Sequence, residues 1–176
     1  MSDLIVLAGP IGAGKSTVAE ALGRRLIKAG LTAAIADLDD VAFAHRGRVD
    51  LAEFWRRAGV AHVGLVRGWF EAGVDVVIAH GPFFESGSYE ELFETVEPAG
   101  RVHHVLLLVP VDVALERVTS DPDRGPQALS KDPVFLRTTH DTFRELIPTL
   151  PLSALVVETT GSSPSELAER IAALVV

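Results

Sequence analysis

One short segment of the sequence has residue types and spacing suited to phosphate chemistry. Residues 9–16 read Gly-Pro-Ile-Gly-Ala-Gly-Lys-Ser, which meets the pattern G-x-x-x-x-G-K-[ST]. Glycines in this pattern let successive backbone N–H groups face an anion, and the positive end of the following helix points at the same anion. We expect Lys15 to reach the β- and γ-phosphates of a nucleotide and the Ser16 hydroxyl to bind Mg²⁺.

The sequence around this loop satisfies the context that the motif requires. The apolar run Leu4–Ala8 precedes it and a helical pattern over residues 15–29 follows, whereas a chance glycine-rich turn would need neither. The sequence therefore predicts that ATP and Mg²⁺ bind here. The expected nucleotide contacts are Gly9, Gly12, Ala13, Gly14, Lys15, Ser16, Thr17 and, further along the chain, Arg117.

The rest of the chain alternates between strand-like and helical patterns. Short apolar runs lie at residues 4–8, 32–36, 74–79, 102–109 and 154–157. This alternation predicts an α/β fold in which a parallel sheet carries helices on both faces. Helix starts are expected near Asp50, Asp132 and Ser163, and the pattern over residues 50–72 fits one helix or two.

Length and composition limit the class of protein. A chain of 176 residues, 48% of them hydrophobic, fits a single domain over residues 1–176 with its own core. Its formal net charge of -8 argues against nucleic acid as a partner. No run of residues is long and apolar enough to span a membrane, and no export signal is evident, so we expect a cytoplasmic protein without a membrane partner.

Several protein classes share this glycine loop. The chain contains no asparagine, so it lacks the Asn-Lys-x-Asp segment with which switch GTPases read guanine. Motor ATPases usually have an apolar strand that ends in aspartate, but the third strand here ends in His80. Asp112 follows the fourth strand, and we interpret it as the N-cap of the next helix. A small-molecule kinase remains the class that fits.

At this point the chain resembles the shikimate, gluconate and nucleoside monophosphate kinases along nearly its whole length. Within that group it looks most like the antibiotic-modifying or antibiotic-resistance branch, which contains chloramphenicol phosphotransferase and the tunicamycin-resistance proteins. The residues that carry the resemblance are Gly9–Ser16, Asp37-Leu38-Asp39, His80-Gly81-Pro82, Gly100–His104, Glu116-Arg117 with Asp121 and Arg124, and Thr159–Ser165.

The resemblance implies a fold and several site residues. The sheet would have five parallel strands in the order 2-3-1-4-5, with a short lid at about residues 120–132. Asp37 would contact the hydroxyl of the substrate and hold Mg²⁺ through water, and Asp39 is the second candidate for the base. Arg124 would close over the transferring phosphoryl group, whose spreading negative charge a mobile arginine stabilises.

Other residues are candidate substrate contacts on weaker grounds. His80, at the end of the third strand, could contact the substrate or be satisfied by the backbone. Arg56 could bind an anionic group or belong to a solvated helix face. Residues 139–143 lack the arginine with which shikimate kinases grip their substrate carboxylate, so shikimate is not the expected substrate.

The combined prediction is an ATP-dependent kinase that phosphorylates a hydroxyl of a small metabolite or antibiotic. Two alternatives stay open: a binding module whose partner surface responds to ATP, and a slow NTPase without an acceptor. Neither the acceptor nor the oligomeric state can be read from these residues.

Overall fold

The computed structural model describes residues 2–83, 100–122, 129–149 and 153–176. Its strands are β1 (Asp3–Ala8), β2 (Ala33–Asp37), β3 (Val76–His80), β4 (Val102–Leu108) and β5 (Leu155–Glu158). Its α-helices are α1 (Lys15–Lys28), α2 (Leu38–Ala44), α3 (Leu51–Glu71), α4 (Val111–Ser120), α5 (Pro133–Leu146) and α6 (Pro164–Ala172). Short 3₁₀ turns at Leu129–Lys131 and Ile147–Thr149 flank α5.

The strands form one parallel sheet in the order β2-β3-β1-β4-β5, which confirms the predicted topology. The register aligns the carboxyl ends of three neighbouring strands. Asp37 of β2 is opposite His80 of β3, and His80 is opposite Leu7 of β1. Because ligands bind beyond the carboxyl ends of parallel strands, this register assembles the edge where a site is expected.

Two hydrophobic clusters cover the two faces of the sheet. Residues of β1 alternate between them: Ile5 and Leu7 pack with α1 and α6, whereas Leu4 and Val6 pack with α2 and α3. All six residues of β1 are buried, as a central strand covered on both faces must be. The central strand is therefore a firm base for the loop that follows it.

The helix ends follow local sequence signals with one exception. Asp50, Asp132 and Ser163 are the predicted N-caps, and each accepts a backbone hydrogen bond. Residues 51–71 form one continuous helix rather than two. The interpretation of Asp112 as an N-cap was wrong: Pro110 occupies that position, and Asp112 lies within the first turn of α4.

A left-handed glycine ends α1. Gly30 has φ +88°, its N–H donates to the Ile27 carbonyl, and the Leu31 N–H donates to the Leu26 carbonyl. This is the Schellman arrangement, which satisfies the last carbonyls of a helix.

No helix among the described residues has both the length and the hydropathy that a bilayer span requires.

Candidate active site

The glycine loop joins β1 to α1 and leaves the start of that helix open to an anion. Gly9, Gly12 and Gly14 all have positive φ angles. Gly14 is the N-cap of α1, and it offers no side chain to the first amides. The first turn of α1 carries no acidic residue. The amides and the positive end of a 14-residue helix are thus directed at the loop without a competing carboxylate.

Close packing also requires glycine in this loop. A Cβ atom at Gly12 would lie 2.8 Å from the Cβ of Ala114 in α4, and one at Gly9 would collide with the carbonyl of Leu107 in β4. Contacts with the neighbouring strand and helix therefore fix the curvature that the motif predicts.

The side chain of Lys15 folds back along the loop. Its Nζ donates to the carbonyl oxygens of Gly9, at 2.9 Å, and Pro10, at 3.2 Å. Ser16 and Thr17, the next two residues, are exposed. The ammonium group is held at the mouth of the loop, where a phosphate could exchange for these carbonyl partners.

Arg117 connects the glycine loop to the segment after β5. Its Nη1 donates to the Gly12 carbonyl and to Oγ1 of Thr159, both at 3.1 Å, and its Nη2 donates to the Thr159 carbonyl at 3.4 Å. The sequence predicts a nucleotide contact for Arg117, and Thr159 begins a segment that carries the resemblance to the kinases. The geometry brings them together beside the loop.

His140 contacts the glycine loop from α5, and the sequence did not predict this contact. This residue of α5 is buried, and its Nε2 lies 2.9 Å from the Ile11 carbonyl oxygen. A carbonyl only accepts hydrogen bonds, so Nε2 carries the hydrogen. Burial lowers the pKa of His140, and the bond to Ile11 opposes that shift. The ring is therefore neutral near pH 7 and donates to the loop.

Asp37 lies at the carboxyl end of β2, two strands away from the start of the glycine loop. A spacing of about 5 Å between strands puts the Asp37 position roughly 10 Å from β1. Its Oδ1 accepts the Asp39 N–H at 2.8 Å, which makes Asp37 the N-cap of α2.

His80 is the immediate neighbour of Asp37 across the sheet. Its Nε2 lies 3.7 Å from Oδ2 of Asp37, and its side chain is only 3% exposed. Burial lowers the pKa of His80, whereas the charge of Asp37 acts to raise it. The predicted candidates Asp37 and His80 therefore form one polar pair at the strand ends, in which His80 is buried and Asp37 is partly buried.

His62 of α3 lies next to this pair and contacts the backbone beside Asp37. The sequence did not predict a role for it. It is fully buried, and its Nε2 lies 2.9 Å from the carbonyl oxygen of Ala36, the residue before Asp37. Burial lowers the pKa of His62, while the Ala36 hydrogen bond and the Asp37 charge oppose the shift. Its sequence signal is a histidine at the centre of the buried i, i+4 series Ala58–His62–Val66.

The remaining predicted substrate contacts differ in exposure. Asp39 is partly buried in the first turn of α2. Arg56 is exposed on α3, and both it and Arg57 bind the carboxylate of Glu53. The hydrogen bonds from Arg56, then from Arg57, lower the pKa of Glu53 to about 2. The charge of Arg56 is thus already matched by a neighbour on its own helix.

One predicted site residue lies outside the described residues, and the metal ligands come from more than one source. Arg124 falls in the segment 123–128, which the structure does not describe. Among the described residues, no cluster of three His, Cys, Asp or Glu side chains could hold a metal ion alone. The Ser16 hydroxyl and the Asp37 carboxylate offer the hard oxygen ligands that Mg²⁺ prefers, and nucleotide phosphates commonly supply others.

The sequence is similar to a known family over more than half of its length. The model of the adenylylsulphate kinase family matches residues 1–121. An adenylyl-sulfate kinase of Bacillus pumilus (strain SAFR-032) is 30% identical over 118 residues, which are 66% of this chain and 58% of that protein. The chain thus aligns with little more than half the length of this relative.

Comparison of the fold gives broader coverage at lower identity. A shikimate kinase from Acinetobacter baumannii has a TM-score of 0.64 and 23% identity, covering 99% of this chain and 93% of the other. The tunicamycin resistance protein of Deinococcus radiodurans has a TM-score of 0.69 and 21% identity, covering 99% and 96%. These likenesses establish the shared fold, and with the family match they confirm the predicted resemblance to P-loop small-molecule kinases.

Proposed function

Because this chain belongs to the adenylylsulphate kinase family, we propose that it transfers the γ-phosphoryl group of ATP to a hydroxyl of a small molecule. The observation that carries the proposal is the register of the sheet. It aligns the Asp37–His80 pair with the end of the strand that leads into the glycine loop. An anion-binding loop and a partly buried carboxylate thus share one edge of the sheet, as transfer to a hydroxyl requires.

Each half of this edge has a distinct role in the proposed reaction. The amides of the glycine loop and Lys15 bind the β- and γ-phosphates of ATP. The substrate hydroxyl lies against Asp37, and its oxygen attacks the γ-phosphorus. As that bond forms, the bond from the γ-phosphorus to the β–γ bridging oxygen breaks, ADP leaves, and Asp37 accepts the hydroxyl proton.

The surroundings of Asp37 give its two carboxylate oxygens different neighbours. Its Oδ1 is oriented by the Asp39 N–H, which leaves Oδ2 on the side of His80. A neutral His80, 3.7 Å away, borders that oxygen without adding charge. We propose that Asp37 is the base, that Asp39 and His80 lie at the substrate, and that Arg124 stabilises the moving group.

ATP and Mg²⁺ fit the residues present. Three glycines with positive φ and an uncapped helix start form the phosphate cradle. We propose that Ser16 and Asp37 hold Mg²⁺, which would neutralise charge on the phosphates. Arg117 and Thr159 would border the base of the nucleotide.

The proposal is tested by incubating the protein with Mg²⁺, ATP and a panel of hydroxyl compounds. The panel includes adenylyl sulfate, because the family and the B. pumilus relative carry that name. It also includes sugars, polyols and hydroxyl-bearing antibiotics. We expect ADP release to depend on one added compound, whose mass increases by one phosphate.

Lys15→Ala tests the proposed catalytic role of the lysine in the glycine loop, and Lys28→Ala is its matched control. Removing one positive donor at the transferring group is expected to lower kcat about 100- to 1000-fold. Lys28→Ala, at the far end of the same helix, should leave kcat unchanged. ADP release without any acceptor would instead support a slow NTPase, and ATP binding without turnover would support a binding module.

A further inference from the structure

His62 is a buried polar residue at a position where packing alone favours an apolar one. It lies in the middle of α3, on the face that packs against the sheet. Ala58 and Val66, one turn before and one turn after it, are both buried. A leucine or phenylalanine would continue this series without desolvating a polar ring. The histidine therefore points to a role beyond filling space.

Among the described residues, the His62 ring makes its hydrogen bond to the end of β2. Its Nε2 donates to the Ala36 carbonyl over 2.9 Å, and Ala36 immediately precedes Asp37. The other ring nitrogen, Nδ1, is buried and meets no hydrogen-bond partner in the described chain. Leaving a buried acceptor unpaired usually costs more than one neutral hydrogen bond contributes, so stability alone does not explain a histidine at this position.

We propose that His62 is a positioning residue for Asp37, so that α3 fixes the acceptor half of the site. This inference rests on the proposed function, because it assigns Asp37 to the substrate hydroxyl. The bond to Ala36 fixes the backbone from which the Asp37 side chain extends. The two carboxylate oxygens then keep their distinct surroundings, with the Asp39 N–H at Oδ1 and His80 near Oδ2.

The first test separates turnover from nucleotide binding. His62→Phe keeps a ring of similar shape beside Phe83, whose ring centroid is 6.0 Å away, but removes the donor to Ala36. We expect kcat to fall about 10- to 100-fold, because small displacements of a reacting group have effects of that size. The KM for ATP should stay unchanged, since the glycine loop extends from a different strand.

Rescue by a conservative variant distinguishes positioning from direct contact. The amide of His62→Gln can donate to the same carbonyl from near the position of Nε2, so this variant should recover most of kcat. The amide of His62→Asn lies nearer the position of Nδ1 and should not. Rescue by asparagine but not by glutamine would overturn the proposal, because it would indicate a direct role for Nδ1.

A matched control comes from a histidine at the opposite edge of the sheet. The Nε2 of His103 lies 3.0 Å from Oδ1 of Asp3, near the amino ends of β4 and β1. His103→Gln should leave both kcat and KM unchanged. An equal loss of kcat in this variant would show that general destabilisation, rather than the position of Asp37, explains the His62 result.

A second measurement needs no acceptor and no turnover. Hydrogen exchange of the Asp39 amide reports whether Asp37 still accepts its hydrogen bond. In His62→Phe we expect that amide to exchange several-fold faster, while amides of β1 and β4 keep their wild-type rates. Unchanged exchange, or a uniform increase across the sheet, would overturn the proposal. If wild-type protein phosphorylates nothing, the proposed function fails, yet this measurement still decides the role of His62.

Discussion

The nucleotide half and the acceptor half of the candidate site are built in different ways. Residues 9–16 of the nucleotide half are contiguous, and in the proposed reaction their backbone amides would do much of the binding. The acceptor half depends on single side chains from separate elements: Asp37 from β2, His80 from β3 and His62 from α3. An anion can be bound by backbone amides alone, whereas a proton acceptor must be one carboxylate in one orientation.

The two halves nevertheless share one device. In each, a buried histidine on a helix donates from Nε2 to a backbone carbonyl beside a functional residue, over 2.9 Å. His140 holds Ile11 in the glycine loop, and His62 holds Ala36 beside Asp37. A neutral imidazole can donate here without bringing a full charge into the core. Each half is thus held by a hydrogen bond from a helix that lies outside the sequence motif of that half.

The largest expected effect comes from the acceptor half. Asp37→Asn removes the proton acceptor but keeps an oxygen that can accept the Asp39 N–H, so α2 should remain capped. We expect kcat to fall about 100- to 10,000-fold, the usual contribution of a general base. Steady-state kinetics with the identified acceptor measure this loss.

Two neighbours sharpen that result. Asp40→Asn alters an exposed carboxylate of α2 and should leave kcat near the wild-type value. If Asp39→Asn shows the large loss and Asp37→Asn does not, Asp39 is the base and the assignment of the acceptor half changes.

A smaller effect is expected in the nucleotide half. Arg117→Ala removes the donor shared by Gly12 and Thr159, and we expect the KM for ATP to rise about tenfold with little change in kcat. Arg117→Lys keeps the charge but not the planar guanidinium group. Its KM for ATP should therefore lie between those of the wild type and Arg117→Ala. Arg24→Ala, on the exposed side of α1, is the control. A loss of kcat at constant KM would contradict this division between the halves.

The smallest expected effect is on stability and involves both halves. Burial lowers the pKa values of His62, His80 and His140 below their ordinary 6.5. As the pH falls below 6.5, the unfolded chain therefore takes up protons first. Stability is full above that pH and is lost below it, by about 1.4 kcal/mol for each unit of pKa shift.

Thermal unfolding between about pH 8 and pH 5 checks this expectation. The midpoint temperature should fall on the acid side, and His62→Phe should flatten that fall by removing one of the three buried rings. A midpoint that rises on acidification would contradict the direction of these pKa shifts.

The features that depend on local chemistry are predictable from the sequence. The glycine loop is recognisable because only glycine tolerates its φ angles, and Asp50, Asp132 and Ser163 mark helix starts because their side chains replace missing backbone partners. The alternation of apolar runs predicted the parallel sheet. The resemblance to known kinases supplied the order of its strands and the candidate role of Asp37.

Which distant residues come into contact depends on how the helices and strands pack in the tertiary structure. The bonds from His62 to Ala36 and from His140 to Ile11 join residues 26 and 129 positions apart. On the sequence both histidines are polar interruptions of an apolar helical series, and nothing local specifies a partner. The register of β2 against β3 likewise set His80 beside Asp37. Side-chain periodicity assigns a residue to a face, whereas the packing of whole elements selects the atom that it contacts.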